Sequence, residues 1–174
     1  MDEKKFDVAE AIKMSIDLEK NGRKFYLEAA EKAETESGKK LFKMLAHEET
    51  LHLATFQKMV DKMDQVSDWH ELVKDYPQAR QVPVFSEKAP ASQVAKARTD
   101  EVEAIRIAMK QEREAINYFD KIAHLAQDDK TKKIFDFVRQ QEVYHYDLLQ
   151  AEYDHIAKTG FWFDSAEFRM DGKF

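Results

Sequence analysis

The stretch Glu142-Val143-Tyr144-His145 decides how the rest of the chain is interpreted. Glu142 and His145 are three residues apart, so on a helix their side chains share one face. The same spacing occurs in the first half of the chain, at Glu49 and His52. A carboxylate and an imidazole on one helix face are half of a dinuclear metal site, and the chain holds two such halves.

Each of these motifs also follows a second glutamate. Glu19 lies 30 residues before Glu49, and Glu112 lies 30 residues before Glu142, so the whole pattern repeats at an offset of 93 residues. The apolar positions repeat at the same offset, which pairs Phe42 with Phe135, Leu45 with Val138, Phe25 with Tyr118 and Tyr26 with Phe119. Because packing residues and polar residues repeat together, the pattern indicates two equivalent helical hairpins.

A third Glu-x-x-His spacing, at Glu152 and His155, has no such support. The position 30 residues before Glu152 is Ile122, which cannot ligate a metal. A single short motif is weak evidence for a site. We therefore interpret this copy as coincidence, and we expect the histidines without a glutamate partner in the core to face solvent: His47, His70, His124 and His155.

The composition indicates one helical domain over residues 1–174, with 43% hydrophobic and 36% charged residues. A net charge of −6 without a basic stripe gives no indication of nucleic-acid binding. No apolar run is long enough for a membrane span, and the first ten residues lack the apolar core of a signal peptide, so we expect a cytoplasmic protein. The absence of cysteine excludes disulfides and thiolate metal sites.

Glycine and proline are rare, and all three prolines lie in one central stretch, at Pro77, Pro83 and Pro90. Long uninterrupted segments remain on either side. The heptad-like spacing of apolar residues and the turn signals predict helices over residues 7–34, 38–64, 99–126 and 129–158. Residues 65–98 are predicted to be a crossover connection, and residues 160–174 an aromatic tail that packs on the bundle or on a partner subunit.

The four glutamates and two histidines should lie at one height in the bundle. Two residues of an antiparallel hairpin are level when their midpoint falls in the turn, and the two glutamate pairs have midpoints at residues 34 and 127, both in predicted turns. Each unpaired carboxylate buried in the core would cost roughly several kcal/mol of folding free energy. Two divalent cations would balance the charge of all four. Metal binding is the simplest explanation.

Glutamate and histidine without thiolate suit iron or manganese, and this constellation is how ferritin-like bundles hold two metal ions. Over residues 7–158 the chain resembles the ferritin-like superfamily, and within it the rubrerythrin family. The resemblance implies an all-α four-helix bundle with one long crossover, holding two iron ions, with manganese or a mixed pair as alternatives. It implies these ligands: Glu19, Glu49, His52, Glu112, Glu142 and His145. It also implies that Glu49 and Glu142 bridge the metals and that Tyr26 lies beside them.

Two features differ from the family pattern. Rubrerythrins usually carry a cysteine-ligated rubredoxin-like domain, which this chain lacks, so electrons would come from an external donor such as a rubredoxin-like protein. Rubrerythrins also share an additional glutamate near the ligand of the third helix. In this chain the neighbours of Glu112 on the same helix face include Ala108 and Ala115, and Glu114 points away.

The resemblance implies reduction of hydrogen peroxide, or of oxygen, at the metal pair, with no catalytic residue beyond the ligands. Two alternatives stay open, a ferritin-like ferroxidase that stores iron and a metal-binding bundle without catalysis. By the same resemblance we expect a homodimer. The crossover of residues 65–98 is long enough to carry the second hairpin into a partner, so the helices could be exchanged between subunits.

Overall fold

A computed structural model describes residues 7–62, 65, 67–74 and 98–162. Within these ranges the chain forms five helices: α1 (Val8–Lys32), α2 (Glu36–Lys62), α3 (His70–Val73), α4 (Thr99–Leu125) and α5 (Asp129–Thr159). The four long helices pack as an all-α ferritin-like bundle, which confirms the predicted fold class. No helix in the described ranges has the length and apolarity that a membrane span needs.

Two helical hairpins make up the bundle. Helix α1 packs along α2 and α4 packs along α5, while α1 and α4 touch over a much smaller area. The hairpin turns fall at residues 33–35 and 126–128, next to the predicted midpoints. Local signals begin and end the helices as expected, since the Asp7 carboxylate accepts the amide of Ala9 at 2.9 Å and Gly160 ends α5 with φ of 78°.

The predicted helix boundaries differ from the observed ones by at most two residues wherever the structure describes the end. The main addition lies within residues 65–98, where no helix was predicted. There Leu72 and Val73 are buried and α3 packs on α2, because an apolar pair can form a short helix against the bundle. The prolines at 77, 83 and 90 and tail residues 163–174 lie outside the described ranges.

Two apolar clusters fill the interior, one toward each end of the bundle. One cluster is built around Phe42, Leu45 and Leu148, and the other around Phe56 and Phe135, all with 0% exposure. The buried glutamates and histidines belong to neither cluster. The core therefore consists of two apolar ends and a separate polar layer.

The internal repeat of the sequence is also present in the packing. In the first hairpin the rings of Tyr26 and Phe42 stack with centroids 6.4 Å apart and planes at 24°. In the second hairpin the equivalent rings, Phe119 and Phe135, stack at 6.5 Å and 25°. The internal repeat therefore extends to the relative orientation of these ring pairs.

Glu101, at the start of α4, is a buried carboxylate that joins three parts of the chain. Its Oε1 accepts hydrogen bonds from the amides of Glu34 and Thr35 at 3.0 and 2.9 Å and from the Thr35 hydroxyl at 2.8 Å. Its Oε2 accepts bonds from the Arg98 amide and from Trp162 Nε1, both at 3.2 Å. One side chain thereby ties the α1–α2 turn and Trp162, three residues beyond α5, to the beginning of α4.

Replacing Glu101 with alanine should therefore destabilise the whole bundle. We expect the free energy of unfolding to fall by about 3 kcal/mol, because several buried donors lose their acceptor. The exposed neighbour Glu103, whose side chain is 60% exposed, is the matched control, and Glu103→Ala should change stability by less than about 0.5 kcal/mol. Urea unfolding of both variants in the metal-free state measures the difference, and equal effects would contradict the role assigned to Glu101.

Candidate metal centre

Six polar side chains from the four long helices meet in one layer between the two apolar clusters. Helices α1 and α4 each contribute one glutamate, and α2 and α5 each contribute a glutamate and the histidine one turn later. None of the six is more than 3% exposed: Glu19, Glu49, His52, Glu112, Glu142 and His145. The structure therefore brings together every residue that the sequence predicts as a ligand, and their role as ligands stays a prediction.

One half of this cluster is centred on His52. Its Nδ1 atom lies 3.1 Å from Glu19 Oε2, 3.3 Å from Glu49 Oε2 and 2.9 Å from Glu142 Oε1. Because these atoms come from α1, α2 and α5, this half needs both hairpins.

The other half is centred on His145. Its Nδ1 atom lies 3.2 Å from Glu142 Oε2, 3.6 Å from Glu49 Oε1 and 3.7 Å from Glu112 Oε1. Glu49 and Glu142 therefore each present one oxygen to His52 and the other oxygen to His145. In this arrangement each of the two carboxylates would reach both metal positions, and the bridging role of Glu49 and Glu142 stays a prediction.

The spacing of these atoms fits two metal ions. Bonds of about 2.1 Å put neighbouring ligand atoms about 3.0 to 3.4 Å apart, depending on the coordination angle. Four potential ligands in each half lie within 4.8 Å of one another, in two groups that share Glu49 and Glu142. In addition, Glu19 Oε1 is buried and has no hydrogen-bond partner within the described ranges. The oxygen-rich donor set, with one nitrogen in each half, suits iron or manganese.

Burial and charge shift the pKa values of the cluster in opposite directions. Burial, followed by the charges of Glu49 and Glu142, raises the pKa of Glu19 well above its ordinary range. Burial and the charge of Glu142 raise the pKa of Glu112 to about 8. Burial opposes the charged form of Glu142 and of His145, yet contacts with opposite charges outweigh it, so the pKa of Glu142 is lowered and the pKa of His145 is raised to about 10.

Tyr26 lies beside the cluster, as the resemblance to rubrerythrins implies. It is 1% exposed, and its hydroxyl donates a hydrogen bond to Glu112 Oε1 across the gap between α1 and α4. Burial and the negative charge of Glu112 raise the pKa of the Tyr26 phenol well above its ordinary value. Tyr26 therefore stays protonated at neutral pH and orients Glu112.

A pocket of about 250 Å³ opens between α1 and α4 and reaches the cluster. Its wall includes Gly22 and Ala115, and its inner end includes Glu49, Glu112 and Glu142. A small molecule could therefore enter the bundle between α1 and α4 and meet the two shared carboxylates.

Comparison with known proteins identifies the family of this chain. The family model of rubrerythrin matches residues 10–153. The chain belongs to the rubrerythrin family. It is also similar to the structure of a hypothetical protein from Pyrococcus furiosus, with 26% identity over 90% of this chain and 94% of that one, and a TM-score of 0.63. No curated protein matched the chain.

Membership of the rubrerythrin family and the buried cluster together suggest a di-iron centre and oxidoreductase chemistry. The other histidines take no part in it within the described ranges. His47, His70 and His124 are exposed, and His155 is partly exposed. Glu152 is buried, at 2% exposure, but it lies outside both metal-binding groups, in agreement with its interpretation as a coincidental motif.

Two residues of this rubrerythrin-family bundle were not assigned a role from the sequence. Gly22 lies next to the shared carboxylate of Glu49, and the repeat could have drawn attention to it because its equivalent, Ala115, carries a methyl group. The spacing of the ligand motifs assigns no role to Glu101, which lies in the first turn of α4. Glu101 lies four residues before Ile105 and so continues the buried face of α4, and this spacing could have indicated that its carboxylate is buried.

Because Glu49 and Glu142 serve both halves, losing either should remove metal from the whole cluster. We expect Glu49→Ala and Glu142→Ala each to lose most of two bound ions per chain, as measured by elemental analysis after reconstitution with Fe²⁺ under nitrogen. His155→Ala is the control, and it should retain both ions because His155 lies outside the two groups. Equal metal loss in the control would mean that the wrong motif has been assigned.

Metal affinity should also depend steeply on pH. In the metal-free protein Glu112, with a pKa of about 8, and His145, with a pKa of about 10, both hold a proton at pH 7. Metal binding displaces both protons, so affinity should rise as pH rises, by about a hundredfold between pH 6 and pH 7. Competition between the protein and a coloured chelator for Zn²⁺ measures this slope, and a change of tenfold or less would contradict it.

Proposed function

We propose that the protein is a di-iron oxidoreductase that reduces hydrogen peroxide, with oxygen as the alternative oxidant, using electrons from an external donor. The observation that carries this proposal is the pocket that reaches a pair of shared carboxylates. Glu49 and Glu142 line the inner end of that pocket, and each directs one oxygen to His52 and the other to His145. A small molecule in this pocket therefore meets the two carboxylates that both candidate metal positions share.

Two adjacent ferrous ions would supply two electrons, one from each ion. Reduction of hydrogen peroxide to two molecules of water takes two electrons and two protons, and solvent can deliver the protons through the pocket. The chain contributes three things to this reaction. Shared carboxylates hold the ions next to each other, apolar clusters on both sides exclude water from the rest of the core, and Tyr26 fixes the orientation of Glu112.

The electrons must return to the site from another molecule. The chain has no cysteine, so it cannot carry the cysteine-ligated iron site that many rubrerythrins use for this purpose. A separate rubredoxin-like protein is the donor that this chemistry favours. The homodimer stays a prediction, and so does an exchange of helices between subunits; in this structure a single chain supplies all six candidate ligands.

Iron storage is the alternative that uses the same site. A ferroxidase would oxidise Fe²⁺ repeatedly and pass the product to a mineral held by a closed cage of many subunits. A bundle that only binds metal would show neither reaction. Size by light scattering separates a cage from a small oligomer, and the number of irons retained per chain separates storage from a resident pair.

The reaction of the reduced protein distinguishes these functions directly. We expect the di-ferrous protein to be oxidised much faster by hydrogen peroxide than by oxygen, with about one peroxide consumed per two irons because each iron gives one electron. Stopped-flow absorbance under nitrogen measures both rates and the stoichiometry. Faster oxidation by oxygen, together with retention of tens of irons per chain, would contradict the peroxidase function and favour storage.

A further inference from the structure

The internal repeat allows the two halves of the metal centre to be compared position by position. Tyr26 and Phe119 are equivalent in the repeat, and their rings stack on equivalent phenylalanines with nearly the same geometry, at 6.4 Å and 24° against 6.5 Å and 25°. The ring positions are therefore the same, and the hydroxyl group is the only chemical difference between the two side chains.

This hydroxyl gives the two outer carboxylates different surroundings. Glu112 Oε1 accepts the hydrogen bond of Tyr26. Glu19 is the equivalent of Glu112, and its Oε1 is buried with no hydrogen-bond partner in the part of the chain that the structure describes. One half of the cluster thus holds its outer carboxylate by a phenol, and the other half does not.

The pocket departs from the internal repeat in the same way. Its wall is made of equivalent positions from α1 and α4, such as Gly22 and Ala115. At the inner end, however, Glu112 and Tyr26 line the pocket, whereas Glu19 and Phe119 are not among its lining residues in the described ranges. The pocket therefore opens toward the half that contains Glu112.

Gly22 contributes to this asymmetry. A Cβ atom at position 22 would lie 3.5 Å from Cδ of Glu49, in ordinary contact, so its absence leaves the carboxylate uncovered. At the equivalent position the chain carries a methyl group, that of Ala115, which is buried at 4% exposure. A glycine inside a helix costs about 1 kcal/mol relative to alanine, so the open wall is obtained at some expense in helix stability.

We propose that the two metal positions have different roles. The position formed by Glu112 and His145 faces the pocket and takes the small-molecule substrate or an exogenous anion, with Tyr26 as the positioning residue for Glu112. The position formed by Glu19 and His52 is closed to the pocket and holds its ion without binding substrate. This inference rests on the proposed di-metal function, and it assigns different tasks to two sets of ligands that the repeat makes alike.

Single substitutions can leave one position complete while weakening the other. Glu19→Ala keeps the position that faces the pocket, and Glu112→Ala keeps the closed one. Each variant is loaded with one equivalent of Co²⁺, whose visible spectrum reports its ligands, and titrated with azide. We expect azide to bind the Glu19→Ala protein at least tenfold more tightly than the Glu112→Ala protein. Equal affinity, or the reverse order, would overturn the inference.

A second comparison uses the unaltered ligand set with two Co²⁺ ions per chain. Tyr26→Phe frees Glu112 to bind its ion through both oxygens and so to block the open position, and we expect azide affinity to fall about tenfold. Phe119→Tyr places a hydroxyl at the equivalent point of the closed half, and it should change azide affinity by less than twofold. Equal effects of the two variants would overturn the inference.

The same titration separates this inference from the proposed function. If the unaltered protein binds no Co²⁺, the metal centre itself is wrong, and with it both proposals. If it binds two ions but the paired variants behave alike, the metal centre stands and only the difference between its two positions is wrong.

Discussion

The structure depends on the burial of four carboxylates and two imidazoles in a single layer. Burying one ionised group costs roughly several kcal/mol of desolvation free energy. This cost is offset only where an opposite charge lies close by. His52 and His145 each have three carboxylate oxygens within 3.7 Å, and both apolar clusters stop at this layer. The helices on both sides therefore provide the stability that the layer itself does not.

Duplication within the chain explains why this layer suits a pair of metal ions. Glu49 and Glu142 are equivalent in the repeat, and each directs one oxygen to His52 and the other to His145, so each can serve two positions. The hairpins pack tightly within themselves, whereas α1 and α4 meet over a small area. The pocket lies between α1 and α4 and reaches the shared carboxylates, so an approach to the cluster does not require the hairpins themselves to open.

The sequence predicted most of this architecture because helical periodicity and the repeat are local signals. Helix boundaries, the turn at each midpoint and the meeting of six side chains follow from residue spacing alone. The contacts that depend on how the hairpins dock could not be obtained in this way. The resemblance to rubrerythrins implies that Tyr26 lies near the cluster, but only the docking of α1 against α4 shows that its hydroxyl reaches Glu112. The same holds for the bonds of Glu101 to Thr35 and Trp162, which join segments far apart in the chain.

The candidate ligands match between the two halves of the repeat, whereas the residues beside them differ. These two features meet two separate requirements of a metal enzyme. Holding two ions side by side needs matching donors from each hairpin, and the glutamates and histidines match at every position. Binding a substrate needs one approach to be open, and symmetry would open or close both alike. The differences between Tyr26 and Phe119 and between Gly22 and Ala115 lie beside the donors and leave the donors unchanged. The proposed difference in access therefore requires no change in the candidate donors themselves.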